Sequence, residues 1–76
     1  MDGPSYHQPA HIQILRDQRG LVIGRLEEQR STGKIVARNA RGLLVGIYDP
    51  REGTTRDARG LVIARGDVLA AILVRR

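Results

Sequence analysis

The chain has 76 residues and a net charge of +5, which comes from twelve arginines and one lysine against eight acidic residues. A chain of this length accommodates one domain and buries only roughly 60% of its unfolded surface, so oligomerisation is the expected source of extra stability. The absence of cysteine excludes disulfides and thiolate zinc sites, and no apolar stretch reaches the ~20 residues needed to span a bilayer.

The basic balance favours anionic partners such as nucleic acid, although a genome that prefers arginine codons would produce the same balance. No charged and then apolar signal pattern opens the chain. The default expectation is a soluble cytoplasmic protein that makes no membrane contact.

Residues 1–10 predict a disordered tail, because Pro4, Pro9 and Gly3 interrupt them and no apolar period is present. Residues 11–76 predict a single domain. His7 and His11 have a helical spacing but lack a third ligand nearby, so no metal site is expected.

One six-residue pattern, Arg-(Asp/Asn)-x-Arg-Gly-Leu, occurs at residues 16–21, 38–43 and 56–61. The Asp or Asn side chain can cap the local backbone, and the glycine three positions later accepts the left-handed conformation of a type I turn with a bulge. The pattern therefore predicts three β-hairpins. β-Branched runs flank each turn, and the short linkers favour an antiparallel meander of about six strands in an all-β fold, either open or closed into a small barrel.

The spacing of the apolar residues changes from that of strands to that of a helix in the last segment of the chain. Val68, Leu69, Ile72 and Leu73 share one helical face, and Asp67 can cap its start. A short C-terminal helix is predicted, with a final strand as the alternative.

The strands that leave the turns are apolar on both faces, which indicates burial on both sides of the sheet. One helix cannot cover both faces, so we expect a homo-oligomer, built either from small barrels or from stacked sheets. The predicted assembly residues are Leu21, Val22, Ile23, Leu43, Leu44, Val45, Leu61, Val62 and Ile63. The next position is Gly24, Gly46 or Ala64, which indicates either a close backbone approach or a simple kink.

The turn arginines are the candidates for binding anions or nucleic acid. If the hairpins align, all of them lie along one sheet edge and can contact phosphates without reading sequence; the alternative is that they are ordinary solvated residues. The set comprises Arg16, Arg19, Arg38, Arg41, Arg56 and Arg59. The scarcity of aromatic residues argues against base stacking.

No catalytic residue is predicted. Glu27 and Glu28 indicate a solvated loop, no serine or threonine has a base nearby, and every glycine is accounted for by a turn or a strand. We expect no enzymatic activity, no cofactor and no small-molecule substrate.

The segment from Gly46 to Ile63 resembles small bacterial proteins built of tandem D-x-x-G-x-x-V-G hairpins, whose function is unassigned. The segment from Asp17 to Gly24 is similar, more weakly, to the start of PRC-barrel domains, which implies an adaptor associated with protein or RNA. Neither resemblance implies a catalytic residue. The sequence favours a non-enzymatic structural or scaffolding module that self-assembles through apolar sheet faces, with a basic nucleic-acid-binding module as the alternative.

Overall fold

The computed structural model describes residues 11–75, so the predicted disordered tail lies outside the described residues. Six strands are followed by one helix, in the order that the sequence predicts. The elements are β1 (His11–Arg16), β2 (Val22–Glu28), β3 (Ile35–Asn39), β4 (Leu44–Asp49), β5 (Thr54–Asp57), β6 (Val62–Arg65) and α1 (Leu69–Arg75).

The strands form one antiparallel sheet in which each strand pairs with its neighbours in the chain, in the order β1 to β6. The predicted all-β meander with a C-terminal helix is therefore confirmed. The sheet is open and is not closed into a barrel, so the barrel alternative does not apply to the described chain. No helix in the described residues is long and apolar enough to cross a membrane.

The three predicted turns share one geometry. In the first, Asp17 Oδ1 accepts hydrogen bonds from the backbone N–H groups of Arg19 at 2.8 Å and Leu21 at 3.0 Å, and Gly20 has a φ of 86°. The second and third turns repeat both bonds at 2.9 and 3.0 Å, and their glycines have φ values of 85° and 92°. A non-glycine residue would be strained at this φ, which explains why glycine recurs there.

The leucine after each turn glycine lies outside the strand that the sequence assigns to it. β2, β4 and β6 begin one residue later, because the leucine N–H is bonded to the turn side chain rather than to the strand ladder. The side chains of Leu21, Leu43 and Leu61 are 58–59% exposed. These leucines therefore belong to the hairpin tips.

α1 covers one face of the sheet above β2, β3 and β4. The burial of its apolar residues there makes the main core of the molecule, since this is the only layer that packs on the described sheet. The buried members of that core are Ala37, Val45, Leu69 and Leu73.

Small residues near the starts of β2 and β4 allow α1 to approach the sheet closely. A Cβ on Gly24 would overlap the carbonyl oxygen of Arg38 and lie 2.8 Å from a methyl carbon of Leu73. A Cβ on Gly46 would lie 3.1 Å from a methyl carbon of α1. The equivalent residue in the third hairpin is Ala64, on a strand that α1 does not cover, so a methyl group is accommodated.

A buried hydroxyl group holds the turn that connects β6 to α1. Thr55 is fully buried; its Oγ1 donates to the carbonyl of Gly66 at 2.6 Å and accepts from the N–H of Val68 at 3.2 Å. The Asp67 carboxylate accepts from the N–H of Leu69 at 3.0 Å, as predicted for a helix cap. These hydrogen bonds fix the direction of the chain at the start of α1, so that the helix packs across the sheet.

We call the opposite side of the sheet the open face, because no described element covers it. Residues opposite one another in the strand pairing share a face, and those that alternate with the core positions point away from α1. The open face comprises Ile12, Ile14, Arg16, Val22, Arg25, Glu27, Val36, Arg38, Leu44, Ile47, Asp49, Thr54, Arg56, Val62 and Arg65.

We expect Gly24→Ala to lower the free energy of unfolding by about 1–3 kcal/mol, because the methyl group meets a backbone carbonyl that must move. Gly46→Ala should cost less, since its nearest contacts are 3.0 and 3.1 Å away. Urea unfolding of both variants measures the difference. Ala64→Gly is the control, with a loss of at most about 1 kcal/mol; equal stability of Gly24→Ala and the parent chain would contradict the packing described.

Candidate functional site

The first arginine of each repeat braces its own turn. Nη1 of Arg16 donates to the carbonyl of Gly20 at 2.9 Å, and the equivalent bonds in the second and third hairpins measure 3.2 and 2.7 Å. The guanidinium therefore satisfies a carbonyl at the turn exit. These three arginines lie on the open face at the ends of β1, β3 and β5, and they have a structural role that the sequence reasoning did not identify.

The second arginine of each repeat projects from the hairpin tip. The side chain of Arg59 is 83% exposed and lies 3.7 Å from the Asp57 carboxylate. Within the described residues, the guanidinium groups of Arg19 and Arg41 have no ion-pair or hydrogen-bond partner. Adjacent tips are two strands apart, so the three arginines form a row with a spacing of about 10 Å.

The turn carboxylate stays charged beside these arginines. The N–H of Leu61 donates to Asp57 and lowers the pKa of that carboxyl; the weaker opposing effect of burial is outweighed, and Arg59 adds to the lowering through its N–H and its charge. The tip therefore presents a cation next to a carboxylate that is already occupied by backbone donors. The arginine at the tip is therefore more exposed to solvent than the turn carboxylate beside it.

Grooves separate neighbouring hairpin tips. The groove between the first and second tips has a volume of about 1030 Å³, with Arg19 and Arg41 at its rim and Ile23, Leu73 and Val74 among its apolar lining. A smaller groove of about 260 Å³ lies between the second and third tips and includes Leu43 and Arg59. Both grooves are open to solvent, and their lining brings cationic and apolar groups together at one end of the sheet.

An ion cluster lies on the open face, where the sequence predicts a solvated loop. Glu27 lies in β2 and accepts hydrogen bonds from Arg25 Nε and, at 3.2 Å, from Arg38 Nε. Burial raises the pKa of the Glu27 carboxyl, but the hydrogen bonds and charges of the two arginines outweigh it and hold the pKa below its ordinary value. The loop interpretation of Glu27 is wrong because β2 extends to Glu28 by pairing with β3.

Apolar side chains surround this ion cluster. Val36 is 3% exposed although no helix packs on its face, and it lies between Glu27 and Ile47 in the strand pairing. Towards the sheet margins the apolar residues are much more accessible. Ile12, Ile14, Val22 and Val62 are 42–49% exposed.

The predicted assembly residues differ in burial. Val45 is buried in the core and Ile23 packs against it, so α1 uses both side chains; Leu44 is half-buried. The remaining members are accessible: Leu21, Val22, Leu43, Leu61, Val62 and Ile63. Sequence reasoning missed Ile12 and Ile14, which alternate with polar residues as in an ordinary half-buried strand.

In the described part of the chain, no group of three or more His, Cys, Asp or Glu residues is placed to hold a metal ion. His11 is exposed at the start of β1, and His7 lies outside the described residues. Comparison of the chain with protein-family models, curated proteins and solved structures finds no match.

We expect Glu27→Gln to lower the free energy of unfolding at pH 7 by about 1–2 kcal/mol, because two partly exposed arginines lose their shared anion. The folded-state pKa of Glu27 lies below its ordinary value of 4.5, so its stabilising effect is present above that pH and disappears as the pH falls through the folded-state pKa.

Chemical denaturation from pH 7 to pH 3 measures this effect. Stability of Glu27→Gln should decline less below pH 4.5 than that of the parent chain. Glu28→Gln makes the same chemical change on the exposed neighbour and should follow the parent curve. Matching curves for the two variants would contradict the assigned role of the cluster.

Proposed function

We propose that this protein is a non-enzymatic structural module that self-assembles through the apolar part of its open face. The observation that carries the proposal is the concentration of half-exposed aliphatic side chains, 42–49% accessible, on a sheet side that α1 does not cover. Isolated surface aliphatics such as Val62 are ordinary, but Ile12, Ile14 and Val22 lie together on the paired strands β1 and β2, and such grouping is typical of an interface.

The size of the face supports a contact between copies. The molecule measures 40 by 32 by 17 Å, so each broad side exceeds the roughly 800 Å² per partner that a standard interface buries. The charged side chains at its centre already bond to one another, because Glu27 accepts a hydrogen bond from each of two arginines. A second copy can therefore pack there without burying those three side chains unpaired.

We expect Val22→Lys and Val62→Lys each to weaken self-association by at least about 100-fold, because an uncompensated buried charge costs about 3–5 kcal/mol. Light scattering coupled to size exclusion, over a concentration series, measures the mass of each variant. The parent chain should be multimeric at micromolar concentration.

The matched control is Val74→Lys, which adds the same charge on α1 at a position that is 70% exposed. It should leave the mass unchanged. A parent chain that remains monomeric would remove the proposal, and multimers that persist in both open-face variants would show that another surface joins the copies.

A second candidate function is the binding of nucleic-acid phosphates by the row of tip arginines. The observation that favours it is the lack of any described partner for the guanidinium groups of Arg19 and Arg41, which face a common groove. The first arginine of each repeat supports this less, since it is bonded to a turn carbonyl. A row of this kind would contact phosphates without reading bases.

We expect the triple variant Arg19→Ala, Arg41→Ala, Arg59→Ala to reduce the salt dependence of nucleic-acid binding, by roughly 0.9 in the log–log slope for each duplex phosphate that the variant no longer neutralises. Salt titrations against duplex and single-stranded nucleic acid measure the slope. The control removes three cations from the loops at the other end of the sheet: Arg30→Ala, Lys34→Ala, Arg51→Ala. Equal slopes for the two variants, or no binding at low salt, would refute this function.

A further inference from the structure

Within residues 11–75 the meander leaves two strands, β1 and β6, with one side unpaired, and they differ in how well that side is protected. β6 has four residues and ends at Arg65, after which Gly66, with a φ of 79°, turns the chain away. β1 has six residues, and between Ile12 and Leu15 it contains no charge and no proline. Proteins usually protect edge strands with short length, charge or proline, and β1 lacks these protections in its centre.

The hydrogen-bonding direction of β1 follows from its turn. The N–H of Asp17 donates to Leu21 within the first hairpin. Backbone groups of alternate residues in an antiparallel strand point to opposite sides. Ile12, Ile14 and Arg16 therefore direct their N–H and C=O groups to the unpaired edge, where no described strand accepts them.

The side chains of these edge residues add an apolar contact beside the free backbone groups. Ile12 and Ile14 lie on the open face and are 48% and 47% exposed. Val22, across the hairpin, extends the same apolar margin. The largest cluster of half-exposed aliphatic side chains on the open face is thus located at the unprotected edge.

We propose that β1 pairs antiparallel with β1 of a second copy across a two-fold axis, joining two sheets into one continuous sheet. This inference rests on the proposed self-assembly and adds to its open-face contact a second contact at the sheet edge. The edge groups match when the axis passes beside a residue, because outward-facing residues then lie opposite one another. Only axes beside Gln13 or Ile14 place both Ile12 and Ile14 opposite outward-facing residues of the partner's β1. In the Gln13 register, Ile12 of each copy lies opposite Ile14 of the other.

A self-pairing of β1 is favoured over a head-to-tail contact between β6 and β1. Within the chain, Arg25 lies opposite Arg38, and Glu27 bridges the two. If β6 paired with β1 of the next copy in the register that joins β2 to β3, Arg65 would lie opposite Arg16 of that copy. The residue that aligns with Glu27 is then Asp67, which is engaged in capping α1, so the like charges would remain unbridged.

The test uses one proline at each edge of the full-length chain. Ile14→Pro removes an N–H that faces the open edge and leaves the bonds to β2 in place, which an edge strand tolerates. Arg65→Pro is the matched change in β6, because Gly66 donates inward to Gly53 and the N–H of Arg65 therefore faces outward. Light scattering measures mass, and circular dichroism checks that each variant keeps the fold of the parent.

We expect Ile14→Pro to reduce the mass at least by half and Arg65→Pro to keep the mass of the parent. An Ile14→Pro variant that keeps the mass of the parent multimer overturns the edge contact while the open-face assembly stands. A multimer that disappears only in Arg65→Pro assigns the contact to β6 and also overturns the inference. A monomeric parent chain refutes the proposed self-assembly itself, and the edge contact with it.

Single cysteines provide a measurement that does not depend on tolerance of proline. The chain has no cysteine, so one introduced thiol reports one position. Under mild oxidation, either Gln13→Cys or Ile14→Cys should form a disulfide-linked dimer faster than Arg65→Cys, because one of the two lies beside the axis. Equal, slow cross-linking of all three variants would contradict the pairing of β1.

Discussion

The hydrogen bonds of the Asp or Asn side chain inside each hairpin turn are the interaction on which the rest of the structure depends. One carboxylate or amide oxygen accepts two backbone N–H groups, the glycine supplies the left-handed residue, and the preceding arginine binds the glycine carbonyl. These contacts are local and identical in all three hairpins. They determine strand register, and register determines which side chains face α1.

The three hairpins have equivalent sequences, but α1 gives them different surroundings. α1 packs on β2, β3 and β4, so the glycines of the first two hairpins are required for close approach and Ala64 of the third is not. Ile23 and Val45 serve the core, whereas Ile63, at the same position of the third hairpin, is 48% exposed. The same local sequence therefore supplies the core in one place and an accessible surface in another.

The sequence predicts the parts of the fold that depend on neighbouring residues, and it fails where distant residues decide. The turns, the strand order and the cap at Asp67 follow from local chemistry. The ion cluster on the open face does not, because Glu27 is identified as a strand residue only through its pairing with β3. The hydrogen bond from Arg16 to its turn could have been predicted from the sequence, because an arginine four residues before the turn glycine can reach the carbonyl of that glycine.

The connection between Thr55 and the start of α1 has a consequence for the order in which the molecule forms. Every strand pairs with its neighbour in the chain, so each hairpin closes a short loop and can form early. α1 follows all six strands, and the turn that connects β6 to it requires the hydroxyl of Thr55 to meet Gly66 and Val68. During folding the sheet can therefore be complete while the face that α1 will cover is still exposed to water, and a second sheet can reach that face before α1 docks.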